Sequence, residues 1–261
     1  MMRHVTRRIW LGAVAIVLTL ALFVVANSAV SEERPRPQLA PVPDAVPPRP
    51  ENTTACTYQD AQPFLIRANH LASARASREE NLERQAMLKK AIEYRTKMYG
   101  YFKGFGRPEW NARTPAQNAE TTTLFGQKVR VNKRIIPVLA CVEQQVRDVC
   151  KATPYQPRRI SSLRDKNTYH TNEVSNHVYG IAIDLDPNDN TCCGCVGHWA
   201  EHPKCGRPAK TIYDRMIMPE CWVHAFERFG FHWLGRDKLQ DSMHFEFLGD
   251  PDKIARAAPG L

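Results

Sequence analysis

Two short segments of this chain hold side chains suited to binding a metal and moving a proton. The first is Ser175-Asn176-His177-Val178-Tyr179-Gly180-Ile181-Ala182-Ile183-Asp184-Leu185-Asp186-Pro187. The second is Asp241-Ser242-Met243-His244-Phe245-Glu246-Phe247. His177, Asp184 and His244 together make two neutral imidazoles and one carboxylate. That donor set suits one catalytic zinc ion with a coordination position left open. Asp241 stands three residues before His244, close to such a metal without having to bind it. A general base for the attacking water belongs there.

Both segments read as strands. In IAIDLD the apolar Ile181, Ile183 and Leu185 alternate with Ala182, Asp184 and Asp186. The period of two gives one core face and one open polar face, with Asp184 on the latter. Pro187 ends the run, and Gly180 permits a tight turn between His177 and the strand. In the second segment Met243, Phe245 and Phe247 share one face, with His244 and Glu246 on the other. If both strands lie in one sheet, the three metal candidates converge. A lone His or Asp on a strand is usually structural; the combination S-x-H-x6-D with D-x-x-H-F-E is much harder to reach by accident.

These motifs resemble the zinc D-alanyl-D-alanine carboxypeptidase and endopeptidase family, which includes VanY-type and phage L-alanyl-D-glutamate peptidases. The resemblance runs from about Leu124 to Pro251, through LFGQKVRVNKRIIPVL, SNHVYGIAIDLDP and FGFHW…DSMHFEF. It implies an α+β fold, a small antiparallel sheet flanked by helices, also shared with the Hedgehog signalling domain. It implies zinc on His177, Asp184 and His244, with Asp241 as base. It further implies an arginine upstream of the first motif, where Arg164 stands. A guanidinium there clamps a substrate carboxylate or stabilises the developing oxyanion. Arg158 and Arg159 are its rivals, with surface charge as the plainer account of both. Ser175 is a candidate for orienting substrate, against a local turn hydrogen bond. The implied substrate is a peptidoglycan stem peptide, with D-alanyl-D-alanine carboxypeptidase action ahead of L,D- or D,D-endopeptidase action. A non-catalytic zinc-bearing module that binds cell wall is the alternative of another class.

One stretch departs from the family pattern, CCGCVGHWAEHPKC between the two motifs. His198-Trp199-Ala200-Glu201-His202 matches the H-x-x-E-H pattern, but Gly197 and Pro203 leave barely one helical turn for it. A disulfide-stapled loop is the leading expectation, with Cys221 nearby in sequence. A structural zinc on Cys192, Cys195, His198, His202 or Cys205 is the alternative. Adjacent Cys192 and Cys193 are expected to pair with different partners. Such a loop could wall off one end of a substrate groove.

The rest of the chain must carry and deliver this domain. Met1–Arg8 is basic, and Ile9–Ala26 is an uncharged run of 18 residues. That is the pattern of an export signal or a single membrane anchor, over residues 1–31. Residues 32–55 hold seven prolines between Glu32 and Pro50, a semi-extended spacer. Residues 56–118 read as a helical region, with a helix or helical hairpin from about Asp60 to Met98, carrying Phe64, Leu71, Leu82, Ile92 and Met98. A Gly/Pro/Asn-rich stretch from Gly100 to Asn118 breaks it. Residues 119–261 form the peptidase domain, with a strand at Phe125–Asn132 and a helix at Asn132–Val149. The eight cysteines all follow the apolar run, so disulfides in an extracytoplasmic compartment are expected.

Over its 261 residues the chain is 43% hydrophobic, 24% charged and carries a net charge of +9. Wholesale disorder, a fibrous repeat and a polytopic membrane protein are excluded. A basic surface suits anionic neighbours such as cell-wall polymer, lipid or nucleic acid; with the motifs in view, no nucleic acid is expected. The sequence contains no H-E-x-x-H, G-x-S-x-G, S-x-x-K or G-x-x-x-x-G-K-[ST]. Serine acyl-enzyme chemistry therefore lacks its nucleophile motif.

Overall fold

A computed structural model describes residues 56–71, 73–169 and 173–254. The expected export segment (1–31) and the proline-rich spacer (32–55) lie outside them. Among the described residues no helix is long and apolar enough to cross a membrane.

The fold is α+β. A short helix α1 (Arg67–His70) and the long α2 (Arg78–Tyr99) come first. A hairpin of β1 (Ala119–Leu124) and β2 (Gln127–Asn132) follows, then α3 (Ile136–Val149). The remaining elements are β3 (Ile160–Ser161), β4 (Ala182–Leu185), α4 (Glu220–Glu227), β5 (Phe231–Trp233) and β6 (His244–Phe247). The last four strands form one antiparallel sheet in the order β3-β4-β6-β5.

Local chemistry accounts for most boundaries. Ser77 caps α2, accepting from the Glu80 N–H while Glu80 accepts from Ser77, a reciprocal capping box. Pro137 sits in the first turn of α3, where its missing N–H costs nothing. The helix expected from Asn132 thus begins at Ile136, with Asn132 capping a preceding 3-10 turn. Phe125 and Gly126 have φ of 48° and 78° and make the hairpin turn, so the expected strand at 125–132 starts two residues later. Its partner β1, rich in β-branched threonine, has no counterpart in the expectations. The helical region also differs from its reading. Leu82 is 54% exposed, while α2 buries Ala91, Arg95, Thr96 and Tyr99. The stripe that packs includes a charged side chain.

The main core lies on one side of the four-stranded sheet. Ile181, Ile183, Leu185, Phe245 and Phe247 meet Val138, Val142 and Val146 of α3 and Trp222 and Phe226 of α4. Phe226 and Phe245 stack at 4.3 Å between ring centroids. Trp222 and Trp233 belong to this core. Tyr99 of α2 is buried in it too, and the Cys56–Cys141 disulfide ties the segment before α1 to α3.

The polar sides of β4 and β6 are not open to solvent as the alternation suggested. Every residue of both strands is buried. Around this face, His70, Arg95, Glu173, Ser175, Asn176 and His177 are all buried polar residues. Period-two patterning identifies which side chains share a face; whether later packing covers that face is a tertiary matter. Just past β4, Asp186 takes φ of 41°. Its carboxylate accepts from the Arg158 and Arg159 N–H groups at 2.9 and 2.8 Å and from the Tyr155 hydroxyl at 2.7 Å. These bonds hold the strand end in place.

Burial of His70 has a measurable consequence. Its ring is 4% exposed and Nδ1 has no partner. Burial, reinforced by the Arg95 guanidinium, lowers its pKa to about 4. The unfolded chain protonates this imidazole near pH 6.5, so the stabilising neutral form is favoured only above that pH. Stability should fall from about pH 6.5 towards pH 4, by about 2.5 kcal/mol at pH 4.5 from this residue. Urea midpoints at pH 7 and 4.5 would show the fall, and His70→Gln should make it shallower. An equal fall in both proteins would show that another group carries it.

Candidate metal centre and active site

The antiparallel register sets Asp184 directly opposite His244 across β4 and β6. His177 arrives from the turn before β4. That turn needs Gly180, whose φ is 67° and whose missing Cβ would lie 2.9 Å from the Asn132 nitrogen. The Gly180 N–H donates to the His177 carbonyl at 3.0 Å, folding the histidine back against the strand.

The three side chains meet. His177 Nε2 lies 3.2 Å from Asp184 Oδ1 and 3.1 Å from His244 Nδ1. His244 Nδ1 lies 2.9 Å from the same Asp184 oxygen. A tetrahedral zinc with bonds of about 2.0–2.1 Å sets its donors roughly 3.3 Å apart. The triangle is slightly tighter than that and would open by a few tenths of an ångström around an ion.

Proton placement also fits. His177 Nδ1 faces the Ser162 carbonyl at 2.7 Å, which can only accept, so Nδ1 carries the hydrogen and Nε2 is free to ligate. Burial depresses the His177 pKa and keeps the ring neutral, outweighing the opposite pull of Asp184. His244 behaves differently. Burial would lower its pKa, but the Asp184 and Glu246 carboxylates on either side raise it well above the usual range. Asp184 in turn is held well below its usual value, since its histidine partners outweigh burial. An imidazolium between two carboxylates is a cation site already neutralised by a proton. Metal binding there would displace the Nδ1 proton.

Asp241 stands beside the triad at the same cavity. It is half-buried, and its Oδ1 is fully enclosed without a hydrogen-bond partner. Burial, aided by Asp184 and opposed by His244, pushes its pKa up to about 7. An unpartnered carboxyl poised near neutrality is what a proton shuttle requires.

The cavity has a volume of about 470 Å³. Arg164 lies in its wall, with Nη2 donating to Asp184 Oδ2 at 2.5 Å and 41% of its side chain exposed. Its rivals are elsewhere: Arg158 pairs with Asp189, and Arg159 is exposed beyond the strand end. Ser175 lines the cavity, but its Oγ accepts from the His177 N–H at 3.4 Å and its N–H donates to Asn167 Oδ1. That turn bond takes one lone pair of Oγ and leaves the O–H available as a donor.

The cysteine-rich loop is stapled to itself by Cys192–Cys195 and Cys193–Cys205. Cys221 pairs with Cys150 instead, anchoring α4 rather than the loop. No cysteine is free, so a structural zinc on thiolates has no ligands there. Cys192, Cys195 and Asp241 do place donor atoms within 4.8 Å, but both sulfurs are in one disulfide. His198 and His202 do not converge, since only a 3-10 turn spans Gly197–Trp199 and His202 Nε2 is 3.0 Å from the Asn188 carbonyl.

The cysteine-rich loop expected to wall a groove lines the cavity with Val196 and Trp199, while Arg67 of α1 and Tyr169, which line it too, went unnoticed in the sequence. Arg67 lies 4.5 Å over the Tyr169 ring and pairs with Glu173 at 2.5 Å. No local pattern marks such residues, because they come from distant segments.

Residues 169–247 match the family model described as D-alanyl-D-alanine carboxypeptidase. The match bears out the family resemblance of the motifs and contains His177, Asp184, Asp241 and His244; Arg164 and α2 lie outside it. Neither curated proteins nor solved structures give a match.

Proposed function

We propose, taking the chain as a peptidase of the D-alanyl-D-alanine carboxypeptidase family, that it is a zinc enzyme removing the terminal D-alanine from peptidoglycan stem peptides. The observation that carries this reading is the convergence of His177, Asp184 and His244 beside an unpartnered Asp241 in one cavity. Zinc held by the three would polarise the scissile carbonyl and acidify water, the chemistry of a Lewis acid. Asp241 takes the proton of the attacking water and passes it to the leaving amine. Arg164, tied to Asp184 through one nitrogen, directs its remaining N–H groups at the substrate carboxylate. Ser175 holds the turn that presents His177, and its O–H can donate to substrate while that bond is kept.

Exopeptidase action is favoured by the stapled loop, whose Val196 and Trp199 close one side of the cavity. One observation favours an endopeptidase. A second cavity of about 300 Å³, lined by Tyr101, Thr114, Leu163 and Val178, also includes Arg164. It would let a longer peptide run on past the guanidinium. Four disulfides suit the oxidising, extracytoplasmic compartment in which such substrates occur.

Mass spectrometry of digested muropeptides tests the reading. Loss of a single terminal alanine is the expected product. Cleavage inside the stem or at a cross-bridge would replace the carboxypeptidase by the endopeptidase, and no cleavage by zinc-loaded protein would favour the binding module. Arg164→Ala sharpens the test. A charged hydrogen bond contributes about 1.5–3 kcal/mol, so KM should rise by about 10- to 100-fold with kcat little changed. Amidating the substrate carboxylate should then have little further effect. A fall in kcat alone would move Arg164 to the oxyanion.

A further inference from the structure

His244 has two ring nitrogens, and a metal at the triad needs Nδ1. Something must keep the other nitrogen occupied and stop the ring from turning over. Its Nε2 lies 3.1 Å from Glu246 Oε1. Glu246 is two residues further along β6, so the pleat puts it on the same face. Glu246 is 2% exposed. A buried carboxylate needs a positive counterpart, and the His244 ring is the one Glu246 contacts.

We propose that Glu246 is the positioning residue for the metal centre, holding His244 with Nδ1 towards the ion. A carboxylate accepts only, so it selects the Nε2–H tautomer and leaves the Nδ1 lone pair for the metal. Carboxylate–histidine–metal pairs of this kind typically raise metal affinity by about 10- to 100-fold.

The inference rests on the reading of His177, Asp184 and His244 as metal ligands. Zinc affinity, measured by competition with a chromophoric chelator, needs no substrate and separates the two. If the parent protein binds no zinc, the ligand reading fails. If it binds, Glu246→Asp, which draws the carboxylate back by one methylene, should weaken zinc by about 10-fold or more. Glu246→Gln keeps an acceptor oxygen at the same reach but loses the charge and adds a donor, so its zinc affinity should fall between those of the parent and Glu246→Asp. Cobalt(II) substitution should show an altered visible spectrum in Glu246→Asp and one closer to the parent's in Glu246→Gln. A role in packing alone would lower the melting temperature without moving zinc affinity or the spectrum. Glu246→Asp within threefold of the parent, or Glu246→Gln as weak as Glu246→Asp, would overturn the proposal.

Discussion

Asp241→Ala is expected to lose about 10²- to 10⁴-fold in kcat while keeping its zinc. The separation follows from geometry. Asp241 lies beside the triad, but the atoms that face one another as ligands belong to His177, Asp184 and His244. Its enclosed Oδ1 makes no structural hydrogen bond, so removing it breaks none. Folding and metal content should therefore survive. Metal analysis beside steady-state kinetics would check both halves. A normal rate would remove Asp241 from the mechanism, and lost zinc would make it a ligand. The pH profile carries the same information. A base acts as the carboxylate, and burial sets its pKa near 7 before any cation is present. A divalent ion on the triad lowers it. The rate should then rise with pH along a limb centred below 7, and Asp241→Asn should lack that limb.

His177→Ala should abolish stoichiometric metal binding. It removes one of the three proposed donors, and the loss of a ligand bond and its preorganised geometry amounts to several kcal/mol, or roughly 10³-fold or more in affinity. His177 is 1% exposed and its ring is fixed by the Ser162 carbonyl at 2.7 Å, so the parent donor is preorganised. Without it Asp184 keeps Arg164 and His244, an ion pair that competes with the metal for the carboxylate. Gel-filtered protein should carry about one zinc per chain in the parent and almost none in the variant. Retention of a full equivalent would show that the metal sits elsewhere.

The strands that hold the site were legible because a period of two is a local property. IAIDLD and MHFEF each needed only their own alternation to put Asp184 and His244 on polar sides. Once β4 and β6 pair antiparallel, one register brings the two opposite each other. The turn at Gly180 was likewise local, since only φ above zero folds His177 back. Other readings went astray where a local signal had two outcomes. Phe125-Gly126 continued an alternating pattern, yet it forms the turn of a hairpin whose first strand had not been recognised. Leu82 looked like part of a core stripe, yet α2 packs through Ala91, Arg95, Thr96 and Tyr99 because the neighbours that cover it lie at that end.

By itself, then, the amino-acid sequence pointed to a candidate donor set, a candidate base, a family resemblance and the polar or apolar side each strand residue takes. All of these follow from residue type and short-range spacing. Only the tertiary structure decided what surrounds them. The cysteine pairing, with Cys221 on Cys150 and the loop closed on itself, depends on which Cα atoms come within about 6 Å. The burial of the site's polar side depends on segments far away in the chain, α1 and α2 among them. The occupants of the cavity wall, Arg67 and Trp199, and the pairing of Arg164 with Asp184 depend on the same long-range packing. Contacts between segments distant in sequence leave no periodic trace in either one, because each segment's pattern records only that a side chain is covered and not by which neighbour.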